Sequence, residues 1–189
     1  MSAAQPPARR FAYVAHCLLN MNAKVGDGAL CAGVFTPLVQ RLRAGGWTIR
    51  QMPCPELAFA GLRRFWAVRE QYDTSAYRAH CTRLARAVAN QIENDLRDGG
   101  EVVIVGVDGS PSMGMHLTAS NPEWGGRPDI SPDAAYPVVR GAGLFVEQLL
   151  VELASREVRG VRLVGIAHDA PDYDEARELD RLGRVLEPL

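Results

Sequence analysis

The sequence lacks any apolar run that approaches the roughly 20 residues needed for a membrane-spanning helix. Its first ten residues, MSAAQPPARR, hold two prolines and two arginines, and no signal-peptide apolar core follows them. A large excess of charge of one sign is also lacking, because the formal net charge is −1. The 21 Lys and Arg residues are scattered along the chain and form no stripe. These absences predict a cytoplasmic protein that binds neither a membrane nor a nucleic-acid polymer.

Cysteine is sparse, and the sequence contains no C-x-x-C pair, no G-x-G-x-x-G pattern and no Walker A motif. A zinc ribbon and a thioredoxin-like site are therefore disfavoured, and a reducing cytosol disfavours disulfides. Each of the four cysteines must be judged by its own context. Cys81 lies on an apolar helix face and is interpreted as core. Cys31 precedes a helix in a glycine-containing loop and is interpreted as incidental or as a spare ligand.

Strand-like and helix-like segments alternate along the chain. Four apolar runs rich in strand formers predict strands over residues 11–15, 47–52, 101–107 and 161–167. Capping residues and apolar spacing predict helices over about 36–45, 73–98, 144–156 and 172–184. Residues 118–140 are rich in Gly, Pro, Asn and Asp, and we predict a long loop there.

This alternation predicts parallel pairing with right-handed crossovers. The fold class is therefore α/β, a single Rossmann-like three-layer domain with a mainly parallel sheet of about four strands. Residues 1–9 are predicted to form a flexible tail, and residues 10–189 the single domain.

Polar and sulfur-bearing residues follow each predicted strand directly. In an open parallel sheet, ligands bind beyond the carboxyl ends of the strands. The four ends carry the sequences HC at 16–17, PCPE at 53–56, DGSPSM at 108–113 and HD at 168–169. Topology therefore predicts that Cys17, Cys54 and the loop from Asp108 to Met113 face one pocket.

Each of these residues also has a structural interpretation. A buried cysteine often only fills space. The negative charge of Glu56, in the first turn of a short segment, would interact favourably with the helix dipole. Asp108 could cap the turn that holds Ser110 and Ser112. For Glu56 the functional alternative is general acid/base chemistry tuned by burial. The structural interpretation is favoured for the two strand-end histidines and for two tryptophans in glycine- and arginine-rich segments, namely His16, His168, Trp66 and Trp124.

Five short motifs follow one another along the chain. They are HCLLNMNAKV at 16–25, PCPE at 53–56, GLRRFW at 61–66, EQYDT at 70–74 and DGSPS at 108–112. Together they resemble the thiouracil-desulfurase-related proteins, formerly a domain of unknown function, and within them the desulfidase branch. The resemblance spans roughly residues 11–170.

The resemblance implies a 4Fe–4S cluster held by three cysteines, with one iron left open. Thiolates are soft ligands suited to such a cluster, and an open iron is a Lewis acid that can take a soft sulfur atom. The implied substrate is a small thiolated compound, such as a thio-nucleobase, whose sulfur is replaced by oxygen from water. Cys17 and Cys54 would bind the cluster, and Glu56 with either Ser110 or Ser112 would assist; Asp108 is a further candidate catalytic residue.

The sequence departs from the family pattern at two positions. A second cysteine commonly follows six residues after the first, where this chain has Ala23, a loss that the desulfidase branch shares. The likeness also leads us to expect Ser-Pro-Ser-Cys-Gly where this chain has Met113. A neutral thioether is a much weaker cluster ligand than a thiolate. Met113 would therefore ligate weakly, Cys31 would substitute for it, or no stable cluster would form.

Three hypotheses follow from these residues. The first is an iron–sulfur-dependent desulfidase. The second is a cluster-free homologue that binds a small planar ligand and has lost activity through Met113. The third is an unrelated Rossmann-like hydrolase that uses Glu56 and Asp108 and needs no metal.

Overall fold

The computed structural model describes residues 9–25, 28–123, 137–168, 170 and 172–187. The predicted tail, residues 1–9, lies outside them except for Arg9, so the division into tail and domain stays a prediction. The elements in chain order are β1 (Arg10–Val14), α1 (His16–Leu19), a 3-10 turn (Met21–Ala23), α2 (Thr36–Ala44), β2 (Trp47–Gln51), α3 (Pro55–Ala60), α4 (Arg69–Tyr72), α5 (Ser75–Arg97), β3 (Glu101–Gly106), β4 (Leu117–Ala119), β5 (Val138–Arg140), α6 (Leu144–Ser155), β6 (Val161–Gly165) and α7 (Glu175–Leu186).

The central sheet has four parallel strands in the order β2-β1-β3-β6. Arg10 at the start of β1 is paired with Trp47 on β2 and with Glu101 on β3. The two inner strands are buried almost throughout, as expected for an apolar run covered on both faces. The predicted α/β fold with a parallel sheet is therefore confirmed.

Helices cover both faces of the sheet. The long helix α5 packs against α6 on one side, and α2 contacts α7 on the other. The predicted inward face of α5 is confirmed, since Tyr77, Cys81, Val88 and Ile92 are buried and Leu84 and Leu96 pack against the core. Along the chain β1 is followed by β2, its neighbour on one side, and β2 is followed by β3, the neighbour of β1 on the other side, so the direction of the crossovers reverses at β1. The crevice between the carboxyl ends of β1 and β3 is therefore the switch point at which ligands bind in such sheets.

The structure also contains short elements that the sequence pattern did not predict. The helices α1, α3 and α4 have only four to six residues each, too few for apolar periodicity to reveal. The predicted loop over 118–140 is wrong at its ends, because β4 and β5 pair there as an antiparallel ribbon with Thr118 opposite Val139. Residues 124–136, the middle of that segment, lie outside the described residues.

Within the ranges given above, no helix combines the length and the apolar character that crossing a membrane would require.

Candidate functional site

A pocket lies at the carboxyl edge of the sheet, around the crevice between β1 and β3. Five residues predicted from the sequence line it, drawn from three strand ends. The lining consists of Cys17, Lys24, Val25, Cys54, Glu56, Arg64, Phe65, Trp66, Ala67, Val107, Ser110, Pro111 and Met113. The structure thus brings together Cys17, Cys54, Glu56, Ser110 and Met113, whereas Asp108, Ser112 and Cys31 are not part of this lining.

Cys17 and Cys54 reach the pocket from neighbouring strands. Cys17 is the second residue of α1, which begins two residues after the end of β1. Cys54 is the N-cap of α3, and its Sγ accepts a hydrogen bond from Leu57 N–H at 3.4 Å. Pro55 occupies the next position, where proline is favoured because its missing N–H costs no helical hydrogen bond. Both side chains are half-buried, and the four cysteines, all in described residues, form no disulfide.

The Cys54 thiol is held mainly in its neutral form. Burial raises the pKa of Cys54, and the neighbouring Glu56 carboxylate raises it further, while the Leu57 N–H and the Arg64 guanidinium oppose both effects. The thiolate is therefore disfavoured unless a cation or a metal comes close enough to compensate for the lost solvation.

We expect Cys54 to react with iodoacetamide more slowly than N-acetylcysteine in the same solution at about pH 8, because the thiolate is the nucleophile and a raised pKa lowers its fraction. Glu56→Gln removes one of the two causes that raise this pKa and should speed the reaction. Glu157→Gln, at an exposed glutamate, serves as the matched control. Timed mass spectrometry of the Cys54 peptide measures both rates. Equal rates for Cys54 and N-acetylcysteine would contradict this account of the thiol.

Ser110 and Glu56 form a hydrogen-bonded pair in the pocket. Ser110 Oγ accepts hydrogen bonds from Met113 N–H at 2.9 Å and from Ser112 N–H at 3.3 Å. Its own proton points to Glu56 Oε1, 3.4 Å away. Because the two amides occupy the lone pairs of the hydroxyl, the O–H is left to donate to the carboxylate. The loop backbone therefore fixes the direction of the Ser110 proton.

Ser112 faces the opposite way, into the core. Its side chain is fully buried, and its Oγ shares a 2.7 Å hydrogen bond with the hydroxyl of Tyr77 on α5. The Ser112 carbonyl accepts hydrogen bonds from the N–H groups of Phe145 and Val146 at the start of α6. Of the two serines that the motif leaves open, Ser110 is the one in the pocket and Ser112 anchors the loop from behind.

Asp108 holds the same loop together from its other side. This buried carboxylate accepts hydrogen bonds through Oδ1 from three successive backbone N–H groups, those of Met115, His116 and Leu117, at 2.9, 2.9 and 3.3 Å. A carboxylate engaged in this way is a structural acceptor for a turn. The structural interpretation of Asp108 therefore accounts for its position, and a direct role in catalysis has no contact to support it.

The sulfur donors near the pocket are two thiols and one thioether. Met113 is buried in the lining, whereas Cys31 lies outside it and donates to Val34 O at 3.5 Å. Among the described residues, no three or more His, Cys, Asp or Glu side chains are grouped so as to hold a metal ion. A third thiolate for a cluster is therefore not supplied by the residues that line the pocket.

Two cationic residues of the pocket are not predicted individually from the sequence. Arg64 donates to Ala23 O at 2.7 Å and to Gly61 O at 3.2 Å, and its Nε lies 3.6 Å from Glu56 Oε2. Lys24 lies 2.7 Å from Nε2 of the buried His168. Both residues come from irregular segments with no apolar period, and only their places within the GLRRFW and HCLLNMNAKV motifs mark them.

The remaining strand-end residues have mixed placements. Burial and the nearby Arg64 lower the pKa of His16, and neither His16 nor His168 is among the lining residues. Trp66 lines the pocket, although packing was the favoured interpretation for it. Trp124 and Asp169 lie outside the described residues.

A second depression lies at the amino-terminal edge of the sheet, far from these groups. Its lining includes Arg10, Arg41 and Asp180 but no cysteine. Several of its charged groups already have partners, since Arg41 lies 3.7 Å from Asp180 and Arg10 donates to Gly45 O at 2.6 Å. We therefore place the candidate chemistry in the pocket at the carboxyl edge.

The fold and the pocket define a class of protein: a parallel α/β domain with sulfur donors and an acid–serine pair at its switch point. Residues 30–131 match the family described as "Putative 2-thiouracil desulfurase". The chain belongs to this family. The matched range includes Cys54, Glu56, Ser110 and Met113, while Cys17 precedes it.

A relative shares part of this sequence, and its description assigns it no function. An uncharacterized protein of the archaeon Methanocaldococcus jannaschii is 31% identical over 102 residues, which cover 54% of this chain and 65% of that protein. The match thus spans less than two thirds of the relative's length. No solved structure matches the chain.

Proposed function

We propose that the protein is a desulfurase that removes sulfur from a small thiolated compound of the thio-nucleobase type. The observation that carries the proposal is the single pocket in which Cys17, Cys54 and Met113 lie together with Glu56 and Ser110. Family membership supports the reaction class, and it argues against the hypothesis of an unrelated hydrolase. The reaction replaces a C=S bond by a C=O bond, with water supplying the oxygen and sulfide leaving with the released protons.

The sulfur atoms in the pocket are of the type that binds an iron–sulfur cluster, although a thioether stands in the place of the third thiolate. All three sulfur atoms that line the pocket are soft donors, which is what such clusters prefer. Cys17 and Cys54 would hold the cluster as thiolates, and Met113 would be the third, weaker ligand. When bound, a cluster with an open iron supplies a Lewis acid for the sulfur of the substrate. Binding would also stabilise the Cys54 thiolate, which burial otherwise disfavours.

Glu56 would take up a proton during the reaction, and Ser110 would position it. The carboxylate of Glu56 accepts the proton of the attacking water, and the hydroxyl of Ser110 orients that carboxylate through Oε1. Arg64 beside Oε2 balances the charge of Glu56. The two backbone N–H groups that fix Ser110 make this orientation a property of the loop. Since the chemistry requires reduced thiols, we propose the cytoplasm as the location.

The direct test is turnover of 2-thiouracil by protein purified and reconstituted with iron and sulfide under anaerobic conditions. Uracil, measured by chromatography, and sulfide, measured colorimetrically, are expected in equal amounts. Release of neither product by reconstituted protein would contradict the proposal. Uracil without sulfide would contradict the proposed reaction balance.

Met113 favours a second candidate, a cluster-free homologue that binds a small ligand without turnover. The described residues offer no third thiolate in the pocket, and a thioether does not replace its charge. The two candidates predict different behaviour of the natural protein, with iron binding and sulfide release for the desulfurase and neither for the binding protein.

Met113→Cys is expected to raise the iron retained after anaerobic reconstitution and the rate of sulfide release, because a thiolate replaces a thioether. Met115→Cys is the matched control, since Met115 is equally buried but does not line the pocket. Iron analysis and sulfide assays on both variants and on the natural protein measure the effect. If only Met113→Cys binds iron and releases sulfide, the natural protein is the cluster-free homologue.

A further inference from the structure

We infer that Phe65 determines the specificity of the pocket by stacking against a flat, conjugated ring of the ligand. The inference rests on the proposed function in taking this pocket as the substrate site. It narrows the substrate class, because a thiolated compound without such a ring would lose the contact. No part of it depends on the sulfur chemistry.

Phe65 belongs to an apolar stretch of the pocket lining. Phe65, Trp66 and Ala67 are consecutive in the chain, and all three line the pocket that also holds Cys17 and Cys54. Pockets for small molecules are typically lined by apolar and aromatic side chains, with a few polar groups that fix the orientation of the ligand. The acid–serine pair supplies polar groups of that kind, and the aromatic side chains supply surface for the ring.

The backbone on both sides of Phe65 is anchored. The preceding residue, Arg64, is buried and donates hydrogen bonds to the carbonyl oxygens of Gly61 and Ala23. Two residues after Phe65, Ala67 is buried as well. The position of Phe65 at the pocket is therefore set by contacts of its neighbours on either side.

The ring of Phe65 is more accessible than the ring of Trp66. Phe65 is 57% exposed, although it lines the pocket. Trp66 packs so closely against Gly28 that a Cβ at this glycine would lie 3.1 Å from Cζ2 of the indole. Of these two neighbouring aromatic residues, Phe65 is therefore the one with a ring surface open to a ligand.

Phe65 stacks on no other aromatic ring in the part of the chain that the structure describes. The rings that do contact one another, on α3, α4 and α5, are those of Phe59, Tyr72, Tyr77 and His80. Aromatic rings attract one another at centroid distances of about 4.5–7 Å, in offset-stacked or edge-to-face arrangements. A flat base stacked on an aromatic side chain makes a contact of the same kind. The ring of a bound ligand can therefore provide the aromatic partner that Phe65 lacks.

A pair of compounds that differ only in the saturation of the ring tests the inference. Uracil and 5,6-dihydrouracil carry the same carbonyl and N–H groups, but only uracil is conjugated and flat throughout. Neither contains sulfur, so neither can be desulfurated. Calorimetry on the anaerobically prepared full chain is expected to show at least about fivefold tighter binding of uracil, the lower end of what one base–aromatic stack contributes. Equal affinities, tighter binding of dihydrouracil, or binding of neither compound would overturn the inference.

Two exposed phenylalanines provide matched variants. Phe65→Leu keeps an apolar side chain but removes the ring, so the ratio of the two affinities should fall to about one. Phe65→Tyr keeps the ring and should keep the ratio of the natural protein. Phe59→Leu makes the same change at an exposed phenylalanine outside the lining and should also keep that ratio. Circular dichroism during thermal unfolding checks that the variants are folded. A preference that persists in folded Phe65→Leu, or that Phe59→Leu abolishes equally, would overturn the assignment to Phe65.

The outcome is separable from that of the desulfurase proposal. A preference for uracil in a protein that releases no sulfide from 2-thiouracil would support the role of Phe65 and contradict the reaction. Sulfide release without any preference between the two rings would do the reverse.

Discussion

Cys17→Ala and Cys54→Ala are each expected to lower desulfuration by at least about 100-fold, beyond the 10–100-fold that loss of a supporting group around a metal typically costs. Each substitution removes one of the two thiols in the pocket and leaves at most one thiolate beside a thioether. Iron–sulfur clusters are normally held by three or four protein ligands, mostly thiolates, so a single thiolate would bind the cluster far more weakly. Iron content and sulfide release after anaerobic reconstitution measure the loss.

Cys31→Ala is the matched control for both variants. Cys31 is half-buried like the two pocket cysteines, but its Sγ donates to Val34 O and does not line the pocket. Iron content and activity should therefore stay close to those of the natural protein. If Cys31→Ala lost the iron as completely as Cys54→Ala, Cys31 would be the third ligand, and the assignment of Met113 as that ligand would be wrong.

Ser110→Ala and Glu56→Gln are expected to reduce the turnover rate by about 100- to 10,000-fold, the range typical of a lost general acid or base. The two residues share one hydrogen bond, so the double variant should be little worse than either single variant. Steady-state rates of uracil formation, at matched iron content, give the comparison. Independent, multiplying effects would show that the two residues do not act together.

Ser112→Ala separates a role in the loop from a role in the pocket. It leaves the Tyr77 hydroxyl without its buried partner and should cost about 1–3 kcal/mol of stability. The turnover rate of the folded variant should change far less than in Ser110→Ala. Urea unfolding measures the first effect and steady-state rates the second. A stable Ser112→Ala variant without activity would reverse the assignment of the two serines.

Much of the fold could be predicted because its elements carry strong periodic patterns. The run from Val102 to Val105 is apolar at every position, which is typical of a strand covered on both faces. The 23 residues of α5 repeat their apolar face over several turns. The ribbon of β4 and β5 was missed because strands of three residues are too short to show a period.

The sequence predicts which segments meet at the site, but it does not predict the contacts of their side chains. Parallel strands place their carboxyl ends at one edge, which brings Cys17, Cys54 and the loop after β3 together. Ser110 and Ser112 flank the same proline and look alike in sequence. Their tertiary contacts distinguish them: Ser112 bonds to Tyr77, 35 residues away along the chain, and Ser110 to Glu56, 54 residues away. Such tertiary contacts leave no local pattern.

Arg64 illustrates the same limit. Its contacts join a 3-10 turn, the end of a six-residue helix and a carboxylate, and none of these elements has a period that points to it. An arginine within a short loop motif is interpreted by default as solvated. The burial of Arg64 depends on the tertiary arrangement of the segments around it, which the local sequence does not reveal.

The central claim is that the thiols of Cys17 and Cys54 hold one inorganic centre in the pocket between β1 and β3. Anomalous diffraction at the iron edge, from crystals of anaerobically reconstituted protein, tests it most directly. We expect one compact iron peak within bonding distance of both Sγ atoms, with Met113 beside it. An iron peak bonded to neither sulfur, or a reconstituted protein that carries no iron, would contradict it.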